Sequence, residues 1–186
     1  MTGLQSLYSI AESQAGYFTT AQAADVDVSR RMLSHYATTG SLQRVRYGLY
    51  RIARFPPTRY EDIHQALLWV GGTSAASHTT ALVVYGLSDA MPSKVHVTTV
   101  IPFTGTQQGV AIHHQSLDSD EIMQREGVRV TSPIRTISDV VTVDRQLAVQ
   151  ALEEALEQGI IRRSQIRDSA NRYGDVAQLL ESIKST

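Results

Sequence analysis

Apolar residues recur over the first forty positions at helical intervals. Leu4, Leu7, Tyr8, Ala11 and Ala15 are spaced by one, three and four residues, which predicts a helix over 4–14 closed by Gly16. Thr19 or Thr20 can cap a short second helix, Ala21 to Ala24. The turn Asp25-Val26-Asp27-Val28 follows, and Ser29 caps a third helix, Arg30 to Thr38, ended by Gly40. The pattern then changes. Leu42, Arg44 and Arg46 on one side of Tyr47-Gly48, and Leu49 and Arg51 on the other, read as two short strands turning at Gly48. Helix, helix, turn, helix and basic hairpin is the order of a winged helix-turn-helix. Pro56-Pro57 interrupts both helix and sheet, so a boundary is expected there.

Beyond the prolines the pattern mixes both periods. Helices are expected over Tyr60 to Val70, from Ser74 or Ser77 to Gly86, from Ser132-Pro133 to Val141, and from Asp144 to Gln158, with Ser164 and Asp175 capping two more. Strands are expected over Lys94 to Ile101, Val110 to Gln115 and Val128 to Thr131, and a short helix or turn over Asp118 to Arg125. The expected class is α+β. Residues 1–55 form a winged helix-turn-helix, and residues 59–186 form a mixed α/β domain with a small sheet and several helices.

Composition narrows the classes. The chain has 186 residues, 42% of them apolar, and no cysteine, so a disulfide framework and a zinc–thiolate site are excluded. Met1 to Ile10 lacks the form of a secretory signal, and no run reaches the roughly 18–20 apolar residues of a membrane span. A soluble cytoplasmic protein is expected. The net charge of −1 is uninformative, but its distribution is not. Residues 1–58 hold six arginines against Glu12, Asp25 and Asp27, a net +3, which leaves −4 on the rest. A basic head on an acidic body can direct one end toward phosphates.

In a winged helix-turn-helix the third helix enters the major groove. Leu33, Tyr36 and Ala37 should face the small core, leaving Arg30, Arg31, Ser34, His35 and Thr38 on the open face. Arginine can pair bidentately with guanine. Two arginines in a first turn also oppose the helix dipole, at a cost of up to ~1 kcal/mol, and a nearby phosphate would remove that conflict. Arg44 and Arg46 alternate along a strand and so are expected on one face, with Tyr47 at the tip. Arg51 and Arg54 are expected to add phosphate contacts. The candidate DNA-contacting set is Thr19, Thr20, Ser29, Arg30, Arg31, Ser34, His35, Thr38, Arg44, Arg46, Tyr47 and Arg51.

The segment Tyr17-Phe18-Thr19-Thr20-Ala21-Gln22-Ala23-Ala24, with Val28-Ser29-Arg30, Leu33, Gly40, Leu42, Arg44-Val45 and Gly48-Leu49-Tyr50-Arg51, resembles the N-terminal domain of AbiEi-type antitoxins of type IV toxin–antitoxin systems. Ser77-His78-Thr79-Thr80-Ala81-Leu82 through Tyr85-Gly86-Leu87, and Gly127-Val128-Arg129-Val130-Thr131-Ser132-Pro133-Ile134-Arg135-Thr136-Ile137-Ser138-Asp139, are similar to elements of the body of that group. The resemblance implies a transcriptional autorepressor that binds double-stranded DNA at repeats in its own promoter. It also implies a nucleotidyltransferase-like toxin as partner.

Catalysis has less support. His113 and His114 neighbour each other on an expected strand, so they point to opposite faces and cannot share a metal. His64, His78 and His96 lack ligand spacing and read as surface or core-edge residues. Asp118, Asp120 and Glu121 lack the glycine and spacing of a calcium loop and read as solvated. Glu153, Glu154 and Glu157 read as the polar face of a helix. Ser74 and Ser77 read as caps, since no Gly-x-Ser-x-Gly elbow is present. Arg135 and Asp139 read as a modest i,i+4 ion pair. No cofactor, metal or catalytic residue is expected. The competing readings are a non-catalytic module whose winged helix binds a protein, and an enzyme such as a small nuclease fused to a DNA-binding head. The latter would want a carboxylate cluster with a lysine, yet the body holds only Lys94 and Lys184.

Overall fold

Helix α1 (Gly3–Ala11) opens the chain, and a 3-10 turn (Glu12–Gln14) ends it before Gly16. The computed structural model, which describes residues 3–184, is α+β and divides into two units, Met1–Gly71 and Gly72–Thr186, each with its own sheet. In the first unit, β1 (Tyr17–Thr19) leads into α2 (Thr20–Asp25), α3 (Arg30–Thr38), β2 (Leu42–Arg46), β3 (Leu49–Ile52) and α4 (Glu61–Val70). The three strands are antiparallel in the order β1-β3-β2. This is the expected winged helix-turn-helix, with β1 added. At three residues, β1 is too short for alternation to reveal it.

Residues opposite one another in an antiparallel pair share a face. Phe18 opposes Tyr50, and Leu42 opposes Ile52. These four close the core with Leu7, Ala11, Ala23, Val28 and Leu33 of the helical side. Tyr17 and Leu49 face the other way and pack with Ala15 and Leu68 of α4. The sheet therefore has helices on both faces. Gly16 holds φ +84, and a Cβ there would lie 2.5 Å from Cγ of Phe55, so only glycine fits between β1 and that ring.

Helix α4 belongs to this first unit although it follows Pro56-Pro57. Its Glu61 accepts from Tyr17 Oη at 2.9 Å, from Arg51 Nη2 at 3.0 Å and from the Thr58 N–H at 3.1 Å. Gln65 donates to Tyr17 Oη at 3.1 Å and accepts from Arg46 Nη2 at 3.0 Å. The winged helix proper ends before the prolines, while the compact unit containing it runs to Gly71.

The second unit has a five-stranded mixed sheet in the order β6-β5-β4-β8-β7. Its strands are β4 (Ala75–Ala76), β5 (Val95–Thr99), β6 (Val110–His114), β7 (Ile122–Arg125) and β8 (Val128–Thr131). The two-residue β4, absent from the sequence reading, sits at the centre, antiparallel to β5 and parallel to β8. Asp118 to Arg125, expected as a short helix or turn, is a 3-10 turn (Ser119–Glu121) followed by β7. Glu126 and Gly127 both hold positive φ, the geometry of a type I′ turn, and join β7 to β8 as a hairpin. The helices are α5 (His78–Tyr85), α6 (Pro133–Val141), α7 (Arg145–Glu157), α8 (Arg163–Asp168) and α9 (Gly174–Lys184). Asp144 caps α7 as expected, accepting from the Leu147 N–H at 3.0 Å. Ser164 and Asp175 do not cap: α8 starts from Arg162, and Asp175 lies inside α9, bound by Ser138 Oγ at 2.6 Å.

A buried ion network joins the 3-10 turn to α6. Arg135 Nε donates to Asp139 Oδ1 at 2.8 Å, and its Nη1 donates to Glu121 Oε1 at 3.0 Å and to the Ser116 carbonyl at 3.0 Å. Its Nη2 donates to Gln115, and Tyr173 Oη donates to Glu121. Arg172 reaches Glu121 and the exposed Asp118 and Asp120 from outside. The solvated reading holds for Asp118 and Asp120 and is corrected for Glu121, and the modest pair Arg135–Asp139 is a buried one. Glu121 and Asp139 are buried, and Arg135 pairs with one oxygen of each through Nη1 and Nε.

Candidate nucleic-acid interface

Ser29 caps α3, accepting from the Met32 N–H at 3.3 Å. One stripe of the helix is sealed: Leu33 is fully buried, with Met32 and Tyr36 packed around it. The opposite stripe is open, since Arg30, Arg31, Ser34, His35 and Thr38 are all exposed. Thr38 Oγ1 donates to the Ser34 carbonyl at 2.9 Å and is turned back on its own helix. No acidic residue lies in the first turn of α3 to offset Arg30 and Arg31.

The wing departs from the sequence reading at one residue. Arg44 opposes Tyr50, and Arg46 opposes Leu49, so Val45 is an extra residue, a β-bulge. Tyr50 and Leu49 point to opposite faces of β3, and Arg44 and Arg46 therefore do too. The expectation of a shared face fails here, because alternation assumes an unbroken strand. Arg44 goes to the side of α3. Arg46 goes to the side of α4, where it meets Gln65.

On the α3 side the pieces converge. Thr20, Arg30, Ser34, Arg44, Tyr47, Gly48 and Tyr50 line an open cleft of about 220 Å³, with two arginines and no acid. The Thr20 N–H donates to the Gly48 carbonyl at 2.9 Å, which ties the wing tip to the start of α2. Gly48 holds φ +73, a turn conformation natural to glycine. Tyr47 is 83% exposed at the tip, and the Arg44 guanidinium lies 5.9 Å from its ring centroid. Two positive groups and a bare aromatic ring around an open cleft suit a phosphate backbone.

Three residues of the candidate set lie off both the cleft and the exposed face of α3. Thr19 Oγ1 accepts from the Gln22 N–H at 3.2 Å while Gln22 Oε1 accepts from the Thr19 N–H at 2.9 Å, a capping box that holds α2. Arg46 is half-buried against α4. Arg51, with an 11% exposed side chain, binds Glu61 and the carbonyls of Phe55 and Pro56. Burial pushes the Glu61 carboxyl up, but the Tyr17 hydroxyl, the Thr58 N–H and Arg51 outweigh it, so it titrates below its ordinary value. Glu61 and Gln65 escaped the sequence reading because nothing local announces that α4 returns to the sheet.

The histidines of the second unit are also corrected. His113 and His114 do point apart, but His113 joins two residues that showed no ligand spacing. His96 on β5 and His113 on β6 share a face in parallel register, and His78 opens α5 above them. The His96 Nδ1 to His113 Nε2 distance is 3.0 Å, and the rings of His78 and His113 stack with centroids 3.8 Å apart. Burial first, then the neighbouring imidazoles, hold His78 down at about 3 and His113 at about 4, so both rings are neutral at pH 7. Ser77 stands at the N-cap of α5 without capping it. Its Oγ accepts from Thr98 Oγ1 at 2.8 Å and lies 3.0 Å from His78 Nδ1.

Among the described residues, no helix is long and apolar enough to cross a membrane. No curated protein matches the chain. Residues 5–53, spanning α1 through β3, match the family model described as transcriptional regulator, AbiEi antitoxin, the family that the motifs of the head resemble.

Proposed function

We propose that the protein is a transcriptional repressor that binds double-stranded DNA at its own promoter through α3 and the wing, and acts as antitoxin to a nucleotidyltransferase-like toxin. The observation that carries the reading is the convergence of Arg30 and Ser34 from α3 with Arg44 and Tyr47 from the wing on one open, acid-free cleft. The family match over the same residues supports it. In this reading α3 lies in the major groove with Arg30 and Arg31 at base edges. Arg44 and Tyr47 reach the adjacent backbone, and the exposed Ser29, Ser34 and His35 complete the contacts. The second unit contacts the toxin. In this reading the protein works in the cytoplasm.

The test is a titration of the duplex upstream of its own gene, followed by fluorescence anisotropy at several salt concentrations, together with a footprint and the identity of the adjacent gene. Arg30→Ala or Arg31→Ala should cost ~1 to 3 kcal/mol at the cognate site. Salt-independent binding, or unchanged binding by the Arg30/Arg31/Arg44 triple alanine variant, would overturn the assignment. Binding of the adjacent gene product to the wing in place of DNA would favour the protein-interaction reading.

A further inference from the structure

We propose that His78, His96 and His113 form a binding site for a divalent first-row transition ion, with Zn2+ the best-suited occupant. The ligand nitrogens of the three rings lie within 4.8 Å of one another, and each comes from a different element of the second unit. A tetrahedral zinc site with bonds of about 2.0–2.1 Å needs nitrogens about 3.3 Å apart, so small rotations of the rings suffice. One pair is already closer, His96 Nδ1 and His113 Nε2 at 3.0 Å. Three imidazoles without thiolate are donors for Zn2+, Co2+, Ni2+ or Cu2+ in preference to Mg2+ or Ca2+, and they leave a fourth position for water or an anion.

The surroundings are those of an ion site. Asp139 is buried, and while its Oδ1 takes Arg135, its Oδ2 has no hydrogen-bond partner among the described residues. That oxygen lies 4.0 Å from His78 Nδ1. A metal-ligating histidine commonly turns its second nitrogen to a carboxylate, which fixes the tautomer and strengthens the donor. In the tautomer that carries its proton on Nδ1, toward Ser77 and Asp139, Nε2 of His78 has the lone pair for the ion. His78 also holds φ +50, a left-handed conformation unusual for a residue with a Cβ. Such strain persists where the surroundings over-determine the backbone. The site is separate from the cleft of the head, and its existence does not rest on the DNA-binding reading.

The full chain, stripped with chelator, is titrated with Co2+ and then with Zn2+. One equivalent of Co2+ should develop the visible bands of a four-coordinate ion, and Zn2+ should abolish them. Zn2+ should also raise the thermal midpoint in a concentration-dependent way. His96→Gln and His113→Gln should each abolish saturable binding. Asp139→Asn should weaken it about 10- to 100-fold, and the exposed His114→Gln should leave it unchanged. Circular dichroism in chelator establishes that each variant is folded. Imidazole 15N resonances of the wild-type chain give a reading independent of any variant. Zn2+-induced shifts at His78, His96 and His113 support the site. Shifts confined to His35, His64 or His114, or no Co2+ bands and no change in midpoint, overturn it.

Discussion

Arg44 and Arg46 stand two positions apart and would share a face on a regular strand. The bulge at Val45 separates them, sending one to the exposed cleft beside α3 and the other to Gln65 of α4. The two arginines should therefore behave differently in one assay. Arg44→Ala should weaken binding to all duplexes and lower the salt slope by ~1, while Arg46→Ala leaves the slope within error. Equal slopes for the two variants would mean that the bulge does not govern contact. Arg51, opposite Tyr17, also lies on the α4 face of the sheet. Its guanidinium is held by Glu61 and two backbone carbonyls, and its loss should read as lost stability of the first unit.

At the scale of elements, two polar clusters join helices to their surroundings, and both depend on carboxylates. Glu61 links α4 to Tyr17 and Arg51 of the sheet, and its folded titration lies below the ordinary value. A depressed carboxylate contributes stability that is present above the unfolded titration and is lost as pH falls through the folded one. The urea midpoint of the first unit should therefore fall as pH drops below about 5, and Glu61→Gln should flatten that dependence. An unchanged profile would assign no role to this carboxylate. In the second unit, Arg135 holds Glu121 and Asp139, whose side chains are 4% and 5% exposed. Arg135→Met leaves the buried Asp139 without its cation and Glu121 with Arg172 alone. It should cost about 3–5 kcal/mol in chemical denaturation, far beyond a surface i,i+4 pair.

For the whole molecule, Pro56-Pro57 is the visible break, yet the compact units divide at Gly71 and Gly72. Residues 1–55 lack Glu61, Gln65 and Leu68, the partners of Tyr17, Arg51, Arg46 and Leu49. A fragment of residues 1–71 should unfold cooperatively and bind the upstream duplex with the salt slope of the full chain. A fragment of residues 1–55 should be less stable by at least about 2 kcal/mol, since one apolar face of its sheet is left bare. Equal thermal midpoints for the two fragments would show α4 to be dispensable.

The sequence alone determined what local physics controls. Ser29 capping α3, the apolar stripe around Leu33, the glycine turn at Gly48 and Asp144 capping α7 depend on neighbours within a few residues, and the structure has each of them. The winged helix and the exposed face of α3 were legible for that reason. Tertiary structure decided what depends on register and return. The two-residue β4 forms only because β5 and β8 flank it. The bulge at Val45 shows only when β2 is laid against β3. Glu121 reads as a loop acid until Arg135 and Tyr173 close over it. His78, His96 and His113 have no common spacing, because parallel pairing of β5 with β6 and the placement of α5 bring them together. Contacts between residues distant in sequence are set by how elements pair, and no short window of the chain encodes that pairing.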